Sequence, residues 1–496
     1  MMKTGKNKRL LASILAASML LAMSPFALAE GTEGTTGQTG QEQSQGQSTE
    51  VKTEGEGTST EQGKPETSVN AARIGKNEYP TVAKAIAAAN IYDANSDVTI
   101  VMLRDVTENI KINKSLTLDL GTFTLSGDAN AAVVTISGDK PQVTVKNGTV
   151  TGGRNPQNGG GFAIDSAVVQ LEDLTITGNE AVGGNGNGEV GGGGIYASHA
   201  DVSMQNVTVS ENRVTGNSSD GGGILVRYGS LTMDGCHVEG NTAPDCGGGM
   251  ILRHSELNAA KSFFENNTAK YGAGIYFGDT PNEAEEGCSG EHNHLITGSA
   301  ISGNTASNIG GGMYVGTTSN LTLRDSKLLN NDGASQGGAI VAYSAGTIEL
   351  DGVSISENTA ESGAGIYALC TAVGNTDIRL LNGTAIDTNT ATGYGGGIYA
   401  DALANTLSVT AENSSVSGNT AAGGAGIFTY KTGSAVINVD LQSGAVMHDN
   451  AATGMGGAIY AYNDANINIA KNSAVYNNTA KTAGDDLLFN GSTFTL

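Results

Sequence analysis

The sequence predicts an all-β protein, a right-handed parallel β-helix solenoid closed at its N-terminal end by one capping helix. Three observations lead there. Asparagine recurs at positions 179, 212, 241, 267, 304, 331, 358, 389, 419, 450 and 478. The spacing averages about 30 residues, inside the window of solenoids and arrays. Most of these asparagines are followed by GGGI, GGGM, GAGI or GGAI, so two separate markers stay in phase. Beyond the first 95 or so residues the segments between markers are short, β-branched and without helical period.

Helical repeats are thereby excluded. Propeller blades need about 40 residues and four strands each, more than this unit supplies. A coil of three short strands fits about 30 residues when one connecting loop is long. Coils stack about 4.8 Å apart, so roughly 14 of them give a solenoid some 65 to 70 Å long. Composition agrees. Glycine accounts for 73 of 496 residues, aromatics for 5%, and tryptophan is absent. Such a chain suits a thin core with many tight turns.

The elements follow in chain order. Residues 1–29 read as a secretory signal peptide. Lys3, Lys6, Lys8 and Arg9 form a basic start, LLASILAASMLLAMS an apolar run, and Ala27-Leu28-Ala29 a cleavage site. The run is short for a bilayer span of about 20 residues, so the mature chain should carry no transmembrane segment. Residues 30–68 are low-complexity Gly/Gln/Thr/Glu sequence and read as a disordered spacer. Residues 69–173 hold the cap and first coils. Thr81 to Asn90 is the helix, with Val82, Ala85, Ile86 and Ala89 on one face. Residues 174–496 are the repeated coils.

Loss of the signal takes the formal charge from −23 to about −27. The chain has no basic run beyond the signal, so nucleic acid is excluded as a partner. Four cysteines cannot hold a fold this long. Cys236 and Cys246 are near in sequence, and either a disulfide or two thiols fits them.

YPTVAKAIAAA followed by strands and then by NTA…GGGIY units resembles the pectin-lyase-like right-handed β-helices. It is most similar to bacterial surface proteins with polymorphic-outer-membrane-protein-type repeats. The resemblance covers about residues 72 to 490. It implies the fold, and it implies a bacterial, secreted or cell-surface protein of the adhesin kind. For activity it implies little, because lyases, hydrolases, esterases and non-catalytic adhesins share the architecture. No membrane barrel or sorting motif follows the repeats before the chain stops at GSTFTL, so release or non-covalent attachment is expected.

Aligning the strand after each glycine cluster gives each position a role. The first is always Ile or Met, from Ile195 to Ile459. The first and third positions share the inner face and stack as core. The asparagines, among them Asn241, Asn267, Asn304, Asn358, Asn389 and Asn419, should turn inward and bond to backbone or to one another. The glycines lack the following Lys-Ser/Thr of a phosphate loop and read as left-handed corners.

The second and fourth positions should point outward. The second is rich in tyrosine, and the densest group is Tyr399, Phe428, Tyr430, Tyr460 and Tyr462. Such a row is either covered by loops and stacked on itself, or it is a binding face for sugar rings. Arg227 and Arg253 share the fourth position in successive coils, with Asp220 and Asp245 in the preceding loops and His254 after Arg253. Paired arginines could hold a carboxylate while His254 abstracts a proton, the outline of a uronate-polymer lyase. Family lyases need Ca²⁺ on clustered outer carboxylates, and family hydrolases need paired aspartates. Asp220 and Asp245 are offset by one residue, so the expectation is a surface ion-pair cluster without a cofactor. Ca²⁺ enters only with the lyase alternative. Cys288, His292 and His294 have metal-ligand spacing, but in an acidic loop that is a weak signal. The balance favours a non-catalytic protein that binds a glycan or a surface protein through its side faces.

Overall fold

The computed structural model describes residues 69–90, 98–128, 130–183, 190–216, 219–278 and 290–495. The signal peptide, the spacer and Cys288 lie outside the described residues. The described chain is an all-β parallel solenoid with one helix. None of its helices is long and apolar enough to cross a membrane.

The helix, α1, spans Val82–Ala89 and buries Val82, Ala85, Ile86 and Ala89. Thr81 caps it, its hydroxyl accepting from the Lys84 N–H at 3.1 Å. Glu108 accepts from the N–H groups of Val82 and Ala83, both at 3.1 Å, and so meets the positive end of the helix. The apolar face of α1 packs on the strands Ala72–Ile74, Thr99–Met102 and Ile110–Ile112, covering the open end of the first coils.

Each coil repeats one plan. Ile195–Ser198 leads to Asp201–Gln205 and then to Thr208–Ser210. The next coil lies in register and parallel on it, with Ile195 on Ile224, Val202 on Leu231 and Val209 on Val238. The strands that follow the glycine clusters belong to one fourteen-stranded parallel sheet. Its first and third positions are the core. Ile224, Val226, Ile275, Phe277, Ile398 and Ala400 are all fully buried. Each buried Ile contributes about 1.5–3 kcal/mol, and the column repeats that gain in every coil.

The corner after the third strand is built by asparagine. A left-handed residue, such as Asn266 at φ 55° or Gly303 at φ 63°, turns the chain, and the next residue points inward. There Asn267 donates its backbone N–H and its Nδ2 to the same Asn304 Oδ1, at 2.9 and 3.0 Å. Nδ2 donates again to the Val238 carbonyl at 2.9 Å. Asn304 treats Asn331 and the Phe264 carbonyl in the same way. The ladder runs coil by coil from Asn179 to Asn478. Its ends are closed by the Gly153 N–H, which donates to Asn179 Oδ1, and by Asp486 Oδ1, which accepts from Asn478 Nδ2. Only a side chain with both an acceptor and two donors can do this at every level. Aspartate would stack buried charges.

The glycine cluster is forced by the same corner. Gly247 sits at φ 64°, and a Cβ on Gly249 would come 2.5 Å from the Gly274 carbonyl oxygen and 2.9 Å from Asn267 Nδ2.

Replacing Asn304 by Ala leaves the N–H and Nδ2 of Asn267 without their acceptor. Each buried orphan costs about 1–3 kcal/mol. Asn304→Ala should lower the melting temperature clearly, while Asn258→Ala, at an exposed strand position, should leave it near wild type.

Candidate functional site

A further column of residues decides which side chains reach the surface. The residue just before each left-handed glycine stacks from coil to coil: Gly191 on Asp220, Cys246 on Tyr271, Tyr271 on Ile309, Ile309 on Gln336. This column leans over the second position of the fourteen-stranded sheet. Leu225, Cys246 and Ile251 form one buried cluster beneath Tyr196, Tyr271 and Tyr276. Ile309, Val341 and Tyr367 form another with Tyr314, Tyr343 and Tyr399. Much of the tyrosine row is thus both covered by loop residues and stacked along the solenoid. Tyr276 and Tyr314 lie face to face at 4.5 Å, and Tyr367 and Tyr399 at 5.0 Å with their planes tilted by 32°.

Within the C-terminal group, Phe428 departs from the expectation. It is 5% exposed, held between Tyr394 at 4.6 Å and Tyr399 at 4.9 Å, and so is withdrawn from the surface. Tyr399, Tyr430, Tyr460 and Tyr462 remain half-buried. Tyr430 and Tyr462 stack at 5.8 Å, and Tyr460 meets Tyr462 edge-on at 5.9 Å.

The arginine cluster also departs from expectation. Arg227 and Arg253 do occupy neighbouring register positions. Yet Arg253 is buried, and its guanidinium donates to Asp220 Oδ2 at 2.6 Å, with side-chain exposures of 7% and 5%. The other oxygen, Oδ1, accepts the Cys246 N–H at 2.9 Å. The cluster is an interior ion pair that pins one coil's loop to the next coil's strand, not a surface one. As their one-residue offset in the sequence implies, Asp220 is not level with Asp245. In space Asp220 stacks toward Cys246, because both directly precede the left-handed glycine. Arg227 lies 4.9 Å over the Tyr228 ring. His254 is stacked on Tyr228 at 5.2 Å and meets His292 edge-on at 6.0 Å.

Among the described residues, the ligating groups that converge are Asp220, Asp245 and Cys246, all within 4.8 Å of one another. The sequence reading found no such cluster, since the stacking that makes it depends on the corner. Burial, followed by the Asp220 charge, pushes the Asp245 carboxyl up. Burial, then Asp220 and Asp245, pushes the Cys246 thiol well above its ordinary value. Arg253 already balances the Asp220 charge there. Of the metal grouping read from the sequence, Cys288 lies outside the described residues and the two histidines lie in the strand His292–Thr297. His294 is 3% exposed and stacks on Phe277 at 3.8 Å, while the half-buried His292 faces the His254 ring. Cys236 and Cys246 are free thiols, not a disulfide. Cys236 points into the main core and Cys246 into the cluster outside the sheet.

One titratable group was missed. Asp401 occupies the fourth position between Leu369 and Tyr430 and is 5% exposed. The Tyr367 hydroxyl donates to its Oδ2 at 3.0 Å, and its Oδ1 is buried without a hydrogen-bond partner. Burial raises its pKa to about 7. An acid in a column flanked by Leu and Tyr was the available signal.

Two outcomes follow. With Arg253 replaced by Met, Asp220 is left buried and unpaired, which should cost about 3–5 kcal/mol. The Arg253→Met/Asp220→Asn double variant should recover part of that in denaturant titration. For Asp401, the folded carboxyl keeps its proton up to about pH 7 while the unfolded one loses it near its model value of 3.8. Stability should therefore fall as pH rises from about 4 to 7 and then level off, by a few kcal/mol. Asp401→Asn should flatten this slope, melting above wild type at pH 8 and close to it at pH 4. No family model, curated protein or solved structure matches the chain.

Proposed function

We propose that the protein is an exported, non-catalytic binding protein of the surface or adhesin kind, using the side of its solenoid to hold a glycan or protein partner. The observation that carries this reading is the aromatic patch on the last coils. Tyr430, Tyr460 and Tyr462 are held by mutual ring contacts, and Tyr394 and Met455 beside them are 37% and 40% exposed. Rings fixed in place present an apolar body with a polar tip at low entropic cost, which suits a sugar face or an interfacial side chain. The N-terminal signal pattern and the resemblance to bacterial surface repeats point the same way.

The alternative, a uronate-polymer lyase, loses its main support in the interior. Arg253 would have to neutralise a substrate carboxylate, yet it is 7% exposed and already bound to Asp220. The strongly negative charge of the chain, −23 overall, also opposes an anionic polymer.

The test compares wild type with Tyr430→Ala/Tyr462→Ala on a glycan array and on surface-protein extracts, beside an ultraviolet assay on polygalacturonate with and without Ca²⁺. The proposal expects at least a tenfold weaker binding signal in the variant and no turnover. Turnover abolished by Arg253→Ala and His254→Ala would establish the lyase instead.

A further inference from the structure

The first coils break the rule that the later ones follow on the fourteen-stranded sheet. From Tyr196 onward the second strand position carries a large side chain in every coil to Tyr460. In the two strands before it, Val134–Ser137 and Phe162–Asp165, that position is Thr135 and Ala163, and the fourth is Ser137 and Asp165. At this place the surface holds a hollow of about 640 Å³. Thr135, Ser137, Ala163 and Asp165 line its floor, Tyr196 closes one end, and the segment from Asn155 to Asn158 walls one side.

That wall is braced from within. Asn155, 9% exposed, donates its Nδ2 to the carbonyls of Asn158 and Gly159 at 2.6 and 3.0 Å and accepts the Gln157 N–H at 3.1 Å. Asn158 Oδ1 accepts the Gly191 N–H at 2.9 Å and ties the loop to the next coil. The hollow is therefore shaped before any ligand arrives, which removes an ordering cost from binding. Its polar groups are at least partly exposed and not engaged by other side chains. The Asp165 carboxylate, the Thr135 and Ser137 hydroxyls and the Tyr196 hydroxyl form no side-chain hydrogen bond with any described residue.

This combination has a definite chemistry. A free carboxylate accepts from paired ligand hydroxyls, small hydroxyls exchange bonds with ring substituents, and a tyrosine ring supports an apolar C–H face. The volume lies in the ordinary range of small-ligand sites and admits one or two pyranose rings. Asp165 sets the charge. Lys111, paired with Thr135 one coil earlier in the second-position column, is outside the lining, so an anionic sugar would face an uncompensated carboxylate.

We infer that this hollow is a preformed site for an uncharged pyranose unit of a glycan, held by Asp165 and supported by Tyr196. It is separate from the aromatic patch and stands whether or not that patch binds.

Calorimetric titration of the full chain with N-acetylated chitohexaose, cellohexaose, mannohexaose and hexagalacturonate tests it. At least one of the three uncharged oligomers should bind, and hexagalacturonate should not. Asp165→Asn and Ala163→Tyr should each weaken that binding at least tenfold. Ala163→Tyr narrows the hollow with the residue that the next coil already carries at this position, so its melting curve should match wild type. Tyr430→Ala/Tyr462→Ala should leave the affinity unchanged, which separates this site from the patch. The inference is overturned if none of the uncharged oligomers binds at millimolar concentration. It is equally overturned if binding survives Ala163→Tyr intact, or if hexagalacturonate binds as tightly.

Discussion

The bifurcated bond from each asparagine to the Oδ1 of the next is the constraint on which the rest of the fold depends. In the ladder from Asn179 to Asn478, every amide oxygen from Asn212 onward accepts twice and every amide nitrogen donates to a neighbour and to a backbone carbonyl. A one-residue slip in any coil would remove the acceptor of the coil before it and turn its side chains to the wrong face. Register is thus set by hydrogen bonding at one corner and reinforced by the Ile and Met column at another. The glycines follow from this. They let the backbone of the next strand pass against the ladder amides, where a Cβ would collide with Asn267 Nδ2 or the Gly274 carbonyl. The stabilising terms are the same in each coil, so the solenoid grows by repetition and not by a single centre.

Outward positions are then free to vary from coil to coil. Most second-position side chains have been drawn into small satellite clusters under the column of residues that precede the left-handed glycines. Two places escape that covering. On the last coils Tyr430, Tyr460 and Tyr462 stay half-buried, and on the first coils Thr135 and Ala163 leave a hollow beside Tyr196. One presents aromatic edges and the other a polar recess, so the two ends of one face differ in the chemistry they expose.

The repeat made the fold legible. Period, glycine phase and alternation were enough to place Ile195, Ile224 and Ile275 in one column and to orient Val82, Ala85, Ile86 and Ala89 of the helix. The site was less legible, for a specific reason. Strand periodicity says which side chains leave the sheet but not what lies over them. Arg253 leaves the sheet outward and is nevertheless buried, because Asp220 of the adjoining loop reaches it. Phe428 leaves the sheet outward and is covered by Tyr394. His294 looked like part of a polar insert, yet it has the same inward parity as Leu321 and stacks on Phe277. For Arg253 and Phe428 the deciding contact comes from the segment ahead of a left-handed glycine, whose length varies between coils and carries no period to read.

The most direct measurement of the central claim is native-state hydrogen exchange of the backbone N–H groups of the ladder asparagines. If the ladder holds the coils in register, Asn241, Asn267, Asn304 and Asn331 exchange only through global unfolding and rank among the slowest amides in the chain. Exchange of those same amides as fast as that of exposed turn residues such as Asn382 or Gly433 would show that the ladder opens locally, and would contradict the account.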